Sequence, residues 1–263
     1  MHFKLTTWNI NSVRLRMPLV ERYLREHAPD VLCLQEIKTI ADLFPAQAFA
    51  DLGYTYQAVH GQKGYHGVAT VSRIPMRETD RHDWQANGEA RHVGVVLEDS
   101  GVHIENVYIP AGGDEPDRSI NPKFGQKLDF LARMTDWAAQ LDRPTLILGD
   151  FNIAPLESDV WSHKALLKVV SHTPIEVETL AAFQAAHNWV DIGRQLIPTP
   201  QRSYSWWSYR AKDWRANDKG RRLDHIWGSP DIAAKARAHR VLEDARNWEK
   251  CSDHVPLITE FDL

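Results

Sequence analysis

The chain has 263 residues, 43% of them hydrophobic, a formal net charge of −4 and two cysteines. That length admits one large α/β domain or two small ones. Cys33 and Cys251 make no disulfide framework or zinc-ligand spacing, and no apolar run is long enough for a membrane span or a signal segment, so a reducing, cytoplasmic setting is the default expectation.

Taken in chain order, the apolar run 3–8 reads as a strand that ends in Asn9-Ile10-Asn11. A helix follows, with Leu15, Leu19, Val20, Tyr23 and Leu24 as its apolar stripe and Pro18 in its first turn. Strand 31–34 carries Cys33 as a small core residue and ends in Gln35-Glu36. Short strands are expected near 53–59, 67–73, 92–98 and 102–109. Asn121 caps a helix over 122–141, with Pro122 at its first position and Phe124, Leu128, Leu131, Met134, Ala138 and Leu141 on its buried face. Strand 145–149, built on the apolar run Thr145-Leu146-Ile147-Leu148, is buried and delivers Asp150 and Asn152 at its carboxyl end. A helix over 176–187 comes next, then strands near 203–207, 222–228, 236–242 and 255–261, the last preceded by Ser252-Asp253-His254.

This order has no strict βαβ rhythm, which argues against a simple Rossmann arrangement. Near-continuous apolar strands call for sheets covered on both faces. The expected architecture is two packed mixed sheets with helices outside, in one domain spanning 1–263. Three strands end in acids or amides and a fourth starts after an Asp-His pair, which points to one polar cluster with room for a divalent metal. Segment 202–222 concentrates charge: Arg202, Arg210, Lys212, Arg215, Lys219, Arg221 and Arg222 stand against two acids, so the piece is +5 and the rest −9. A solvated loop explains most such runs. Here the cations alternate with Tyr204, Trp206, Trp207, Tyr209 and Trp214, the composition of a nucleic-acid surface.

Seven motifs in order resemble the exonuclease III family of AP (apurinic/apyrimidinic) endonucleases, within the endonuclease/exonuclease/phosphatase superfamily. They are Trp8-Asn9-Ile10-Asn11-Ser12-Val13-Arg14, Leu34-Gln35-Glu36-Ile37-Lys38, the run 61–69 from Gly61 through Lys63 to Ala69, Asn106-Val107-Tyr108-Ile109-Pro110, Gly149-Asp150-Phe151-Asn152-Ile153-Ala154-Pro155, Arg222-Leu223-Asp224-His225 and Ser252-Asp253-His254-Val255-Pro256. The resemblance implies a four-layered α/β sandwich of the deoxyribonuclease I type, with the site between the two sheet edges. It implies Mg²⁺- or Mn²⁺-dependent cleavage of duplex DNA 5′ to abasic sites, action on blocked 3′ ends by 3′→5′ exonuclease and 3′-phosphatase or phosphodiesterase activity, and a monomer of the cytoplasm, nucleoid-associated in a bacterium.

Carried onto these residues, the resemblance makes Glu36 the main metal ligand. Asn11 stands where some relatives have a second acidic ligand, and Asp253 either supports the ligands from behind or is an alternate ligand. Oxygen donors suit Mg²⁺ or Mn²⁺. Asp150 is the candidate base that activates water and Asn152 its orienter. Asp224 fixes the ring of His254, whose protonated form stabilises phosphate charge; the alternative makes His254 the base. Tyr108 donates its hydroxyl to the phosphate or the leaving oxygen, and Asn9 hydrogen-bonds the His–Asp pair or the phosphate. Arg14, Lys38 and Lys63 are candidate phosphate contacts. Trp206, Trp207 and Leu223 are expected to line a pocket for a flipped-out abasic sugar, with Tyr209, Arg210 and Trp214 in a loop against the duplex. Each has a bland alternative: a solvated strand-end acid, an Asx turn at 150–152, a core tyrosine, exposed cations. Ala111 and Arg221 depart from the family pattern, Arg221 because relatives have an apolar or aromatic pocket wall there, and loop 112–117 is acidic. Two rivals remain. One is a superfamily phosphoesterase acting on inositol phosphates or sphingomyelin, which has no use for the 202–222 loop; the other is a DNA-binding module with a dead site, which predicts loss of Glu36, Asp150 or His254.

Overall fold

The structure is a computed structural model that describes residues 2–211 and 213–263, so Lys212 of the basic run lies outside the described residues. In chain order it runs β1 (His2–Asn9), α1 (Val13–His27), β2 (Val31–Gln35), α2 (Ala46–Asp51), β3 (Tyr56–His60), β4 (Val68–Ser72), β5 (Met76–Glu78), β6 (His92–Leu97) and β7 (His103–Tyr108). The second half contains α3 (Pro122–Ala138), β8 (Thr145–Asp150), α4 (His163–Leu166), α5 (Pro174–Ala186), β9 (Val190–Asp191), α6 (Ile192–Leu196), α7 (Trp214–Asn217), β10 (Asp224–Gly228), α8 (Pro230–Ala233), β11 (Ala236–Val241) and β12 (Leu257–Asp262).

Two six-stranded sheets form, in the orders β11-β12-β1-β2-β4-β3 and β5-β6-β7-β8-β10-β9. Each contains one parallel pair, β1 with β2 and β7 with β8, joined by the crossovers that carry α1 and α3. Side chains alternate across each strand, and this alternation sorts the layers. Leu5, Val31, Cys33, Val95, Ile104, Leu146 and Leu148 meet between the sheets. Leu32 and Leu34 turn outward against Val13, Met17, Val20 and Tyr23 of α1. Val107, Ile147 and Trp227 turn outward against Phe130, Leu131 and Met134 of α3 and Leu180 and Phe183 of α5. The result is the expected helix–sheet–sheet–helix sandwich, each buried aliphatic side chain contributing about 1.5–3 kcal/mol. Among the described residues, no helix is long and apolar enough to cross a membrane.

Polar side chains also key the two sheets together. Gln35 of β2 donates to Asn106 of β7 at 2.7 Å, and Asn106 donates back to the carbonyls of Leu34 and Ala69. These buried bonds leave little freedom for one sheet to slide on the other.

Three expectations need correction. Segment 203–207 is not a strand: Trp206 alone makes isolated bridges, to Arg221 on one side and His254 on the other. Leu15 is 57% exposed, because hydrogen bonds from Ser12 and Val13 to the loop after β2 start α1 at Val13 and place Met17 and Val20 on the buried face instead. Pro18 is therefore inside the helix rather than in its first turn, on the solvent side where water can serve the carbonyl its ring leaves unbonded.

Candidate active site

The parallel pairs place four carboxyl ends at one edge of the sandwich. β1 brings Asn9, β2 brings Glu36, β7 brings Tyr108 and β8 brings Asp150. β10 runs antiparallel to β8 with Asp224 opposite Asp150, so its first residue arrives at the same edge. β12 runs antiparallel to β1, which delivers the preceding Asp253-His254 there as well.

Local backbone chemistry explains the residue choices. A Cβ at position 149 would sit 1.9 Å from the carbonyl oxygen of Val107 on the parallel neighbour, so Gly149 is the residue that lets Asp150 arrive. Asn11, Glu36, Lys38 and Asn152 have positive φ angles of 48, 50, 52 and 53°. Left-handed non-glycine residues cost on the order of 1–3 kcal/mol each and gather where the surroundings hold them. Ser252 ties the last motif to β1: its hydroxyl donates to the Asn9 carbonyl at 2.7 Å and accepts from the His254 N–H.

Asn9 donates to Glu36 Oε1 and to Asp150 Oδ2, both at 2.9 Å. The Tyr108 hydroxyl donates to Glu36 Oε1 at 2.9 Å. Asn152 donates to Asp150 through its backbone at 2.9 Å and its amide at 3.2 Å. His254 Nδ1 lies 2.8 Å from Asp224 Oδ2, and Nε2 lies 3.7 Å from Asp150 Oδ2. Burial first, then the neighbouring Asp224 and Glu36 charges, push the Asp150 carboxyl up to about 7 against the pull of His254 and Asn9. Burial works against a charged His254, but the Asp224 and Asp150 carboxylates outweigh it and raise the ring to about 10. Glu36 is also buried, yet Lys38 and Asn9 hold it below its ordinary value. Burial and the facing carboxylates keep the Tyr108 hydroxyl protonated.

The residues fit a hard divalent cation at Glu36 and Asn11. The Lys38 ammonium already stands between their oxygens, 2.9 Å from Glu36 Oε2 and 2.6 Å from Asn11 Oδ1, so a positive charge is accommodated there. Asp150, Asp224 and His254 also bring potential ligand atoms within 4.8 Å of one another. In that triad, however, the His254–Asp224 bond already uses one ring nitrogen, and oxygen donors suit Mg²⁺ or Mn²⁺ better than imidazole. Asp253 stands behind Asn11: its oxygens accept from Trp206 Nε1 at 3.0 Å and from Asn11 Nδ2 at 3.1 Å, so it aims both side chains.

The cluster opens into a cavity of about 570 Å³. Trp206, Arg210, Arg221 and Leu223 line it, as do Ala111 and Asp114, so the acidic loop faces the cavity mouth. Trp207 does not: it is 1% exposed, packs on Tyr204 and Trp214, and donates to Asp218. Trp214 is accordingly a packing residue for α7 more than a free surface group. Tyr209 is half-exposed at the rim, its hydroxyl held by the Cys251 carbonyl and Arg16. Arg14 and Lys63 are exposed. Much of the basic run is spent internally: Arg202 pairs with Asp218 and Glu243, and Arg222 is clamped by Asp159 and Asp191.

Sequence reasoning missed a buried pair behind the cavity. Lys127 Nζ bonds Glu176 and donates to the Asn152 carbonyl at 2.8 Å and to the Ala111 carbonyl at 3.3 Å, while Glu176 accepts from the Ser171 and Thr173 backbones. The signal was present as Thr173-Pro174-Ile175-Glu176, a capping box that starts α5 two residues earlier than expected.

Comparison with known proteins places this arrangement. The model of the endonuclease/exonuclease/phosphatase family matches residues 6–254. An exodeoxyribonuclease III of Haemophilus influenzae is 31% identical, over 98% of this chain and 99% of that protein. The solved structure of an AP endonuclease from Archaeoglobus fulgidus superposes with a TM-score of 0.92 at 29% identity, covering 99% of this chain and all of that one. A Neisseria 3′ phosphatase bound to a product DNA hairpin superposes with a TM-score of 0.90 at 32% identity, again over 99% of this chain and all of that one.

Proposed function

The chain belongs to the endonuclease/exonuclease/phosphatase family and is a hydrolytic nuclease of DNA repair; from that premise we propose that its single catalytic domain, acting as a monomer, cuts the phosphodiester 5′ to abasic sites in duplex DNA and clears blocked 3′ ends. The observation that carries this reading is one amide, Asn9, joined to both the cation-binding carboxylate Glu36 and the raised carboxylate Asp150. Phosphodiester hydrolysis needs a water stripped of a proton beside a phosphate whose charge is neutralised, and these two carboxylates stand on the two sides of that task.

Asp150 is the group suited to take the water's proton. A carboxyl near 7 is basic enough to accept it and still ionised in part at neutral pH, whereas His254 near 10 is already protonated. Asn152, bonded to Asp150, orients the water. The imidazolium of His254, steered by Asp224, holds a non-bridging phosphate oxygen. As the water oxygen bonds to phosphorus, the bond to the 3′ oxygen breaks, and the Tyr108 hydroxyl serves that departing oxygen. A divalent ion held by Glu36 with Asn11, which we assign as Mg²⁺ or Mn²⁺, would polarise the phosphoryl oxygens.

The rival reading, a phosphoesterase for inositol phosphates or sphingomyelin, gains no support from the full-length relatives, which process DNA. The test is a duplex bearing one tetrahydrofuran abasic analogue, assayed with Mg²⁺ and then with EDTA. The expected result is metal-dependent incision 5′ to the lesion; an uncut strand in both arms refutes the proposal.

A further inference from the structure

Arg221 lines the same cavity as Asp150 and His254. Its backbone is pinned by bridges to Val160 and Trp206. Its guanidinium lies 5.3 Å from the centre of the Trp206 ring. Nη1 is anchored to the wall, donating to the Val170 carbonyl at 3.1 Å and to Ser171 Oγ at 2.8 Å. Among the described residues, the buried Nε has no acceptor and Nη2 makes no hydrogen bond. Among the described residues no carboxylate forms an ion pair with it. The neighbouring Arg222, by contrast, is held by Asp159 and Asp191, and the nearby Glu176 is already engaged by Lys127.

A partly buried guanidinium is costly unless an anion answers it. The edge left without an acceptor, Nε with Nη2, is the side of the fork that grips two oxygens of a phosphate or carboxylate. The anchored Nη1 and the Trp206 face hold that edge in place, so little ordering is needed on binding. Among the described residues no group supplies the anion, so a substrate is the natural source. Size does not choose the occupant, because about 570 Å³ admits a sugar or a small anionic fragment alike. Charge does: a base-free sugar offers this edge neutral oxygens, and a phosphorylated or carboxylated end offers it an anion.

We propose that Arg221 makes the cavity selective for an anionic remnant at the 3′ end of a DNA strand, a terminal phosphate monoester or a phosphate-linked carboxylate, over a neutral abasic sugar within a continuous strand. The inference rests on the nuclease reading above and adds a substrate preference to it. For the monoester, water bonds to phosphorus, the bond to the 3′ oxygen breaks, and the products are inorganic phosphate and a 3′ hydroxyl.

The test compares wild type, Arg221→Met and Arg221→Lys on three duplexes with Mg²⁺: a nick with a 3′ phosphate, a nick with a 3′ phosphoglycolate, and an internal tetrahydrofuran site. The readout is the ratio of kcat/KM for each end group to that for the abasic site, which a general loss of folded protein does not move. Replacing a charge-assisted bond should lower that ratio on the order of 10- to 100-fold in the Met variant, with Lys intermediate. A fall for both end groups identifies any anion as the occupant, and a fall for phosphate alone identifies the extra phosphate oxygen. A ratio within about twofold of wild type in the Met variant overturns the inference. Wild-type protein that cuts none of the three would instead overturn the nuclease reading.

Discussion

On the strand-end side of the cavity every charge has a partner. Glu36 has Lys38, Tyr108 and Asn9; His254 has Asp224; Asp150 has Asn9 and Asn152. On the other wall, among the described residues, Arg221 bonds only a carbonyl and a hydroxyl and stacks on Trp206, and the side chain of Arg210 is exposed without a partner. The closed side is set for one reaction before any substrate arrives. The open side has charge to spare, and what binds there must complete it. If the two proposals hold, chemistry and choice of substrate belong to different walls, and each can be perturbed without the other.

The sharpest way to break that division is Asp150→Asn. It should lower the incision rate on the order of 10²- to 10⁴-fold in single-turnover assays while duplex affinity stays within about threefold. A variant that cuts at near wild-type rate removes Asp150 as the base; one that loses affinity in step with rate shows the walls are not separate.

Next comes Lys127→Met, which strands Glu176 uncompensated behind the wall that carries Ser171. Urea unfolding should show a loss of about 3–5 kcal/mol, partly recovered by adding Glu176→Gln. No recovery in the double variant would mean that Lys127 acts through its bonds to the Asn152 and Ala111 carbonyls and not through the ion pair.

The pH profile gives a third measure. Asp150 must be ionised to act, so activity rises with pH through about 7; His254 must keep its proton, so activity falls as pH passes about 10. Groups facing the pair are Asp224, Glu36, Asp253 and Tyr108. Asp224→Asn removes a carboxylate that raises both pKa values, so both limbs should move to lower pH by roughly 1–2 units. Limbs that stay in place would show that Asp224 only positions the ring.

The smallest effect belongs to the outer loop. Arg210→Ala should reduce the salt dependence of duplex binding by about one phosphate contact, a slope change of about 0.9. Trp214→Ala should leave that slope alone and lower the melting temperature, because its ring packs on Trp207. The reverse pattern would put Trp214 on the DNA.

These outcomes follow how differently the two walls could be read from sequence. Residues at strand ends are legible because buried strands are apolar runs and a polar residue ending one is conspicuous; Asn9, Glu36 and Asp150 all announce themselves that way. The expected strand 145–149 and helix 122–141 lie within three residues of the observed ends, and the Asn121 side chain accepts from Lys123 as a cap should. The wall was less legible because alternation of cations and aromatics does not say which way each one points. Trp206 and Trp207 are adjacent, so the chain turns one to the cavity and the other into the core. Arg221 and Arg222 divide in the same manner. The very short strands β5 and β9 escaped notice because three and two residues carry no period. Asp253 is legible only as an acid beside the site; that its oxygens hold Asn11 and Trp206 is seen only once the chain is folded.

Asn9 has a further consequence. It is rooted in one sheet with Glu36, and its second amide hydrogen reaches Asp150 in the other. A single short side chain is therefore a caliper across the seam of the sandwich, fixing how far apart the Glu36 and Asp150 carboxylates stand. Any shear or breathing of the layers is felt at that gap before it disturbs the packed interior, which makes catalytic rate a more sensitive gauge of sheet-to-sheet registry than stability is.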